Sequence, residues 1–424
     1  MSTNNLLSCQ QDSYKTEGIS KVISCVKDVN NLYQVTLEDS VLYPEGGGQP
    51  WDFGFVAGER VEKVIKGVGE RQVQVELTKP IEEGTEVMCS VDWTRRYDFM
   101  QQHTAQHLFS AVADKLFQAE TIGWSLGAET VSVDLSTPIL LTSTQLQEIE
   151  DECNNMIASG AKVQWKIFSK DQILAADNTT TTTTTTEHNN ELNLLRGGPK
   201  GAALELNELR MIYIENLDLN PCGGTHLHGL NEINLLKILG FDKDNNRKCI
   251  RIRFISGKRA LNYFKKNIIQ ETSISTLLSV PPIQHIQSIE KLLYDKKENN
   301  KKLDIYSEEL AELYALSLLS SPEKAMPIYA YHRSGADLKF LIKIATSTTS
   351  TTSTTNAETA VEVGLSGPFI LFGPDEIVKQ LKEPLLGIIN GKGGGRPGKL
   401  QGTATKLNVL EDVQQLLLNH IYNC

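Results

Sequence analysis

The chain has no run of the ~20 consecutive apolar residues that a membrane-crossing helix needs, and residues 1–15 lack the basic start and long apolar stretch of a secretory signal. It therefore reads as a cytoplasmic protein with no membrane partner. Cysteine is sparse and dispersed: the 7 residues fall at 9, 25, 89, 153, 222, 249 and 424, an odd number without the tight spacing of a disulfide scaffold, so reduced thiols are expected. Positive charge is also short. With 42 Lys and Arg against 52 Asp and Glu, the net charge of -10 argues against broad affinity for nucleic acid, because phosphate neutralisation supplies most of that affinity. Basic residues do gather locally, at Arg95-Arg96, Lys258-Arg259, Lys265-Lys266, 296–302 and 392–399, although such runs are more often solvated faces than binding sites. A nucleotide-binding P-loop is missing too, since no G-K-[ST] follows the glycines at 391–395, and no nucleotide cofactor is expected.

At 424 residues the chain is too long for one core, and its 40 % hydrophobic and 22 % charged content is that of ordinary globular domains. Residues 19–92 carry β-branched and aromatic residues in partial alternation between Gly, Asn, Asp and Pro, which predicts a small β-barrel or meander. Its longest turn signal is Y-P-E-G-G-G-Q-P at 43–50, which on composition alone is a hairpin loop. Met100, Leu108, Val112 and Leu116 recur at helical spacing and predict a helix over 99–117; a second is expected over 141–160, between strands at 131–135 and 163–168.

The threonine tract 179–186 and the Ser/Thr run 347–355 cannot bury apolar surface and read as inserted, disordered surface loops. After a strand at 250–257 the texture turns helical, with a helical hairpin or coiled-coil arm turning near Ser279 to Pro282. Beyond 327, strand-like pieces (327–332, 340–345, 368–373, 387–391) alternate with helices around 375–383 and 409–421. The expected fold class is α+β in four parts: an N-terminal small β-barrel over 1–94, a metal-holding α/β domain over 95–257, a helical, coiled-coil-like linker over 258–320, and a small C-terminal α/β domain over 321–424.

The spacing His103-x-x-x-His107 places two imidazoles one helical turn apart on one face, where they can share a metal ion. Alone it is a weak signal. Cys222-Gly223-Gly224-Thr225-His226 adds a thiolate and a third imidazole, with two glycines that let the backbone fold tightly around an ion. Three nitrogens and one sulfur suit zinc better than magnesium, calcium or an iron-sulfur cluster, so one zinc ion per chain is expected, with His228 as a spare candidate. Four protein ligands close a tetrahedron, which is the pattern of a structural site, whereas catalytic zinc keeps a position open.

The run from Asp92 to Leu108 (D-W-T-R-R-Y-D-F-M-Q-Q-H-T-A-Q-H-L) resembles the start of the editing domain of alanyl-tRNA synthetases and their free-standing AlaX-type relatives. The loop at 43–50 resembles that family's N-terminal barrel loop, and C-G-G-T-H at 222–226 resembles its second metal motif, with Arg210-Met211-Ile212 on the strand leading to it. G-K-G-G-G-R-P at 391–397 resembles the glycine-rich signature of the family's C-terminal domain, which in relatives helps hold the tRNA body. The resemblance runs from about residue 19 to the end, outside the two Thr-rich stretches. Only a short polar leader precedes it, so the expectation is a long free-standing editing protein that acts in trans and does not itself charge tRNA.

The resemblance implies an aminoacyl-tRNA deacylase that hydrolyses the ester of serine, and of glycine as a further candidate, on mischarged alanine tRNA at the zinc site, without ATP. It implies a hydroxyl shortly after the first metal motif, for which Thr121 and Ser125 are the candidates; Asp134 and Glu120 are candidate bases or supporting acceptors, although a carboxylate on a strand is more often a surface residue. Candidate tRNA contacts are Arg95, Arg96, Arg210, Lys392 and Arg396. Two alternatives stay open: a deacylase for misacylated threonine tRNA, whose synthetases have a similar editing domain, and a non-catalytic RNA-binding or chaperone-associated protein that keeps zinc only for its fold.

Overall fold

The computed structural model describes residues 5–69, 71–137, 141–178, 191–196, 207–244, 247, 249–320, 338–351, 367–406 and 409–422. They form an α+β chain that divides into two compact units, Met1–Glu271 and Thr272–Cys424. Both Thr-rich calls fall partly or wholly elsewhere: 179–186 and 352–355 lie outside the described residues.

The first unit begins with a short helix, α1 (Ser8–Gln11), and seven antiparallel strands: β1 (Glu17–Lys27), β2 (Tyr33–Leu37), β3 (Gly54–Val56), β4 (Glu59–Arg60), β5 (Lys63–Lys66), β6 (Val73–Leu77) and β7 (Glu86–Val91). Their order is β4-β3-β7-β1-β2-β6-β5. Val73, Val75 and Leu77 point inward while Gln74 and Glu76 stay half-buried, the alternation a sheet with one covered face requires. The long strand β1 pairs with β7 through its first half and with β2 through its second, with a bulge between Val22 and Ser24. One strand serving two ladders curls the sheet into a half-barrel, the form the expected barrel or meander takes.

Helix α2 (Trp93–Phe117) is the spine of the unit, capped by the Asp92 carboxylate, which accepts from the Arg95 amide, and ended at Gln118 in the left-handed conformation. From Phe99 to Ala113 every residue is buried, so the helix is enclosed on all sides. Several of its polar residues are therefore paired inside. The amide of Gln102 donates to the Ser256 carbonyl at 3.1 Å and accepts from the Ser256 amide at 3.1 Å, and Gln101 donates to the Glu232 carbonyl at 2.8 Å.

Around α2 lie a four-stranded sheet of β8 (Glu120–Leu126), β9 (Val131–Ser136), β13 (Leu236–Asp244) and β14 (Cys249–Ser256) in the order β13-β14-β9-β8, and helix α3 (Ser143–Ser159). A Thr142/Gln145 capping box opens α3 and Gly160 closes it, as the Ser/Thr cluster and glycine predict. A three-stranded sheet of β10 (Val163–Ser169), β11 (Glu208–Ile214) and β12 (Asp218–Pro221) carries the second metal motif at its end, and α4 (Lys170–Asn178) follows β10.

Arg96, on α2, fastens the half-barrel to the spine. Its guanidinium is fully buried, donating to Asp52 Oδ2 at 2.9 Å through Nε, to Val41 O at 2.6 Å and to Ser13 O at 2.9 Å. Asp52 Oδ2 also accepts the Tyr43 amide at 2.7 Å, so the base of the 43–50 loop is tied to the same ion pair.

Helix α5 (Gly257–Leu278) leaves the first unit, and α6 (His285–Ser320) follows a turn with Ser279 left-handed and a 3-10 turn at Pro282–Gln284, where the hairpin was expected. Helix α7 (Leu338–Thr351) packs on α6, with Phe340 and Ile344 buried against Ala311. Two expectations are corrected here. Residues 340–345 form helix because Phe340, Leu341 and Ile344 share one helical face despite their strand-like composition, and the Ser/Thr run continues that helix to Thr351.

The last sheet, β15 (Gly367–Phe372), β16 (Gly391–Arg396) and β17 (Lys399–Ala404) in the order β15-β17-β16, packs against α8 (Asp375–Ile388) and α9 (Leu410–Tyr422). The strand expected at 387–391 is instead the end of α8 and its turn, and the glycine-rich stretch 391–395 lies in strand β16, paired residue by residue with β17. The expected strand at 327–332 lies outside the described residues. Among the described residues no helix is long and apolar enough to cross a membrane, and six cysteines are unpaired.

Candidate metal centre

His103 and His107 project from one face of α2 because 3.6 residues per turn bring i and i+4 together. Cys222 and His226 come from the loop after β12. The structure unites the four: one donor atom from each lies within 4.8 Å of all the others. Cys222 Sγ is 3.5 Å from His103 Nε2 and 3.3 Å from His226 Nε2. Bonds of about 2.0–2.1 Å to nitrogen and 2.3 Å to sulfur separate tetrahedral ligand atoms by roughly 3.3–3.6 Å, so these spacings fit a divalent ion such as zinc.

Each imidazole has an oxygen behind it. Gln49, in the 43–50 loop, sets His103: its Oε1 accepts the Thr225 amide at 3.1 Å and its Nε2 donates to Thr225 Oγ1 at 2.9 Å, which fixes the amide's orientation. Oε1 also lies 2.9 Å from His103 Nδ1. An amide oxygen only accepts, so His103 carries its proton on Nδ1 and turns the Nε2 lone pair inward. Thr104 Oγ1 sits 3.4 Å from His226 Nδ1 and accepts the Leu227 amide at 3.1 Å. His107 Nδ1 makes no hydrogen bond, and Asp218 Oδ2 faces it at 3.9 Å. Asp218 is itself buried and paired with Arg196 at 2.9 and 3.3 Å.

Burial and charge divide the donors. Burial alone raises the Cys222 thiol, but the surrounding imidazoles outweigh it and hold the group well below the usual thiol range, as a thiolate. Burial pushes His226 well below the ordinary histidine value, and His103 below it as well. His107 goes the other way: burial opposes its charge, but Asp218 and Cys222 prevail and push it up to about 9.

Glycine makes room at the centre. A Cβ on Gly224 would lie 2.6 Å from His103 Nδ1 and 2.8 Å from Gln49 Oε1, whereas one on Gly223 would meet only Gln10 Nε2, at 3.5 Å. Gly48 lets the 43–50 loop cross the Trp124 ring, which in turn packs on His103 with ring centroids 4.9 Å apart. The leader contributes too, with Gln10 Nε2 donating to the Gly223 carbonyl at 2.9 Å and Ser13 Oγ accepting the His226 amide at 3.3 Å.

The remaining candidates are dispersed. Thr121 faces α2, where its hydroxyl donates to Ser110 Oγ at 2.8 Å, and Ser110 Oγ also receives Gln106 Nε2 at 2.9 Å. Ser125 is exposed on β8, and Glu120 is exposed at its start. Asp134 is engaged by Arg251 at 2.7 and 2.8 Å and by Arg247 at 2.7 Å, pairing that holds its carboxyl below the usual range.

Arg95 is half-buried, its guanidinium 3.8 Å from the centre of the Phe53 ring and its Nε donating to Trp51 O at 3.1 Å. Arg96 is corrected as a tRNA contact: a fully buried guanidinium spent on Asp52 and two carbonyls reaches no phosphate. Arg210 is also buried, its Nη1 donating to the Cys222 carbonyl at 2.7 Å and to the Gly224 carbonyl at 3.0 Å. Lys392 and Arg396 are exposed on β16. His228 is exposed, its ring stacked on Tyr14.

Sequence reasoning missed Gln49, Thr104 and Asp218. Gln49 stood in a motif read as a turn, and Asp218 stands only four residues before Cys222; pairing with the imidazoles across the fold is what distinguishes them.

A family model of the threonyl and alanyl tRNA synthetase second additional domain matches residues 209–253, which span β11 to β14 and the Cys222–His226 loop. The chain is 33 % identical over 422 residues to the alanyl-tRNA editing protein Aarsd1-A of Xenopus laevis, covering 96 % of each. It is 31 % identical over 427 residues to the alanyl-tRNA editing protein Aarsd1 of Danio rerio, covering 98 % of each. Against the putative alanyl-tRNA editing protein alaX of Saccharomyces cerevisiae it is 27 % identical over 447 residues, covering 96 % of this chain and 94 % of the relative.

Proposed function

The chain belongs to the alanyl-tRNA editing protein family, and from that premise we propose that it acts in trans, in the cytoplasm, as a zinc-dependent deacylase that removes serine, and glycine as a second substrate, from mischarged alanine tRNA. The observation that carries the reading is the convergence of three imidazoles and a thiolate from two distant segments, each imidazole backed by an oxygen. Such an activity answers a physical limit, because a pocket made for alanine rejects a side chain of similar size poorly and a second site must remove the errors.

His103, His107, Cys222 and His226 would hold one zinc ion per chain, whose positive charge would polarise a water or grip the aminoacyl end. The chain's own residues do the rest. Gln49 and Thr225 fix the face that His103 presents, Arg210 fastens the Cys222 and Gly224 carbonyls, and Trp124 screens the His103 side from water. Thr121 is the candidate to recognise the serine hydroxyl, a handle alanine lacks, with Ser125 and Asp134 as weaker candidates given their placement. We assign recognition of the substrate ester to 95–257, its bracing to 1–94, and contact with the tRNA body to 321–424 beyond a helical linker over 258–320, with the exposed Lys392 and Arg396 meeting phosphate. Arg95 is the remaining contact candidate near the site.

A second reading is favoured by one feature: four protein donors close a tetrahedron, as in sites that only hold a fold. The test is deacylation of serine-, glycine- and alanine-loaded alanine tRNA and of serine-loaded threonine tRNA, with zinc content measured alongside. Loss of serine release in His103→Ala and Cys222→Ala supports the first reading. Stoichiometric zinc with no deacylation of any substrate establishes the second.

A further inference from the structure

Metal-ligand spacing leaves residues 5–16 out of the site, yet this leader threads between the half-barrel and the loop that carries Cys222 and His226. That loop, 222–228, belongs to no helix or strand, so its amides have no backbone ladder to satisfy them. Each amide from Gly224 to His228 is taken by a side chain instead. Gly224 N donates to Cys222 Sγ at 3.4 Å, and Thr225 N to Gln49 Oε1 at 3.1 Å. His226 N donates to Ser13 Oγ at 3.3 Å and Leu227 N to Thr104 Oγ1 at 3.1 Å. His228 N is shared between the Tyr14 hydroxyl and Glu232 Oε1, each at 3.3 Å. The leader thus supplies the acceptor at the ligand His226 and a second one two residues on.

The leader is itself a fixed frame. Leu7 and Cys9 are buried in the half-barrel core, and Asp39 accepts from the Ser8 amide at 2.9 Å and the Ser8 hydroxyl at 2.7 Å. The Gln11 carbonyl accepts Trp165 Nε1 at 3.0 Å, and the Ser13 carbonyl accepts Arg96 Nη1 at 2.9 Å. Three side chains on this frame meet the loop. Gln10 is oriented by its Oε1, which accepts the Leu7 amide at 3.1 Å, so that its Nε2 donates to the Gly223 carbonyl at 2.9 Å. Ser13 accepts at His226, and Tyr14 accepts at His228 while its own proton goes to Glu232 Oε2 at 2.6 Å.

We propose that Gln10, Ser13 and Tyr14 are positioning residues of the metal centre: the leader is a clamp that presets the 222–228 backbone, and with it the places of Cys222 and His226, before an ion arrives. The physical reason is conformational entropy. A loop with Gly223 and Gly224 has wide backbone freedom, and an ion that had to order it would bind more weakly by that amount. Ser13 acts most directly, because without its hydroxyl the amide of the buried ligand His226 has no acceptor. The inference rests on the reading that the four residues hold a metal, and adds what holds them ready.

Cobalt(II), whose visible absorption reports a tetrahedral site with a thiolate ligand, is titrated into the metal-free full chain, and hydrogen exchange of the 222–228 amides is followed before cobalt is added. Ser13→Ala is expected to weaken cobalt binding about 10- to 100-fold, the scale for disturbing groups that orient ligands, and to speed exchange in the loop without metal. Tyr14→Phe keeps the ring and removes only the hydroxyl, and should weaken cobalt binding about 3- to 10-fold, the scale of one hydrogen bond. Thr36→Val breaks the hydroxyl pair with Ser24, 3.0 Å long in the half-barrel, and controls for lost stability alone: cobalt affinity and loop exchange should stay as in the unaltered chain. Ser13→Ala that binds cobalt no more weakly than Thr36→Val overturns the proposal. The two readings fail separately. Cobalt bound equally by every variant removes the clamp and leaves the metal site, whereas an unaltered chain that takes up no tetrahedral cobalt, with loop exchange still dependent on Ser13, removes the metal and leaves the leader as the holder of the loop.

Discussion

Glycine-rich segments occur in both units of the chain and do opposite work. In the first unit, Gly48 and Gly224 lack a Cβ so that side chains can close in: Trp124 over the one, His103 and Gln49 over the other. In the second, Gly393 and Gly402 lack it so that backbones can close in, since a Cβ on either would collide with a carbonyl of the paired strand. Each segment also holds its own control, for Gly223 and Gly394 have room where their neighbours have none. A motif rich in glycine thus marks close approach, and only the partner that approaches says whether a site or a sheet is being made.

The largest effect should come from removing what delivers the first kind of loop. Arg96→Met leaves Asp52 buried without its counter-charge, which costs about 3–5 kcal/mol and frees the 43–53 segment that brings Gln49 to His103. Urea unfolding and zinc content should fall together. Stability lost with zinc affinity intact would mean that the loop holds its place without Arg96. Next is the room itself: Gly224→Ala displaces His103 and its Gln49 partner, and zinc affinity should drop roughly 10- to 100-fold, the scale for disturbing the groups that orient a ligand. Gly223→Ala should match the unaltered chain. Equal losses in the two variants would remove the distinction between them.

The inner four residues were legible because ligand chemistry imposes spacing: one helical turn between His103 and His107, a two-glycine loop between Cys222 and His226. The shell behind them was not, because Gln49, Thr104 and Asp218 act through contacts that only the fold creates, one of them across 54 positions. Arg96 shows the same limit from the other side, since adjacent arginines read as a basic patch while one of them is the largest fully buried side chain of α2. Strands and helices of the first unit followed period and caps. In the second unit, residues 340–345 misled because β-branched composition outweighed a helical face only one and a half turns long, and β16 because glycine strands carry no side-chain alternation to read.

On the sheet side of the comparison, Gly395→Ala sets a methyl against the Lys399 carbonyl and should destabilise the second unit by about 1–3 kcal/mol while zinc content and serine release in the first stay unchanged. Gly394→Ala should be neutral in both. Hydrogen exchange of the β16 and β17 amides reads the effect where it arises, and a loss of zinc in Gly395→Ala would show that the two glycine segments are not independent.

The smallest effect concerns Asp134, which lies in the first unit but outside the glycine-bounded centre. Its partners Arg247 and Arg251 are 48 % and 46 % exposed, so solvent screens the pairing and Asp134→Asn should cost no more than about 1 kcal/mol near neutral pH. Arg251 holds the folded carboxyl below the ordinary value, so the unfolded chain takes up a proton first as pH falls. The contribution is complete above the ordinary carboxylate range and disappears as pH drops through the folded value. Unfolding curves of the two proteins should therefore converge as pH is lowered from 6 toward about 3. A gap that persists in acid would assign the loss to packing at β9 and β14, and a large fall in serine release at neutral pH with zinc retained would move Asp134 from the sheet to the reaction.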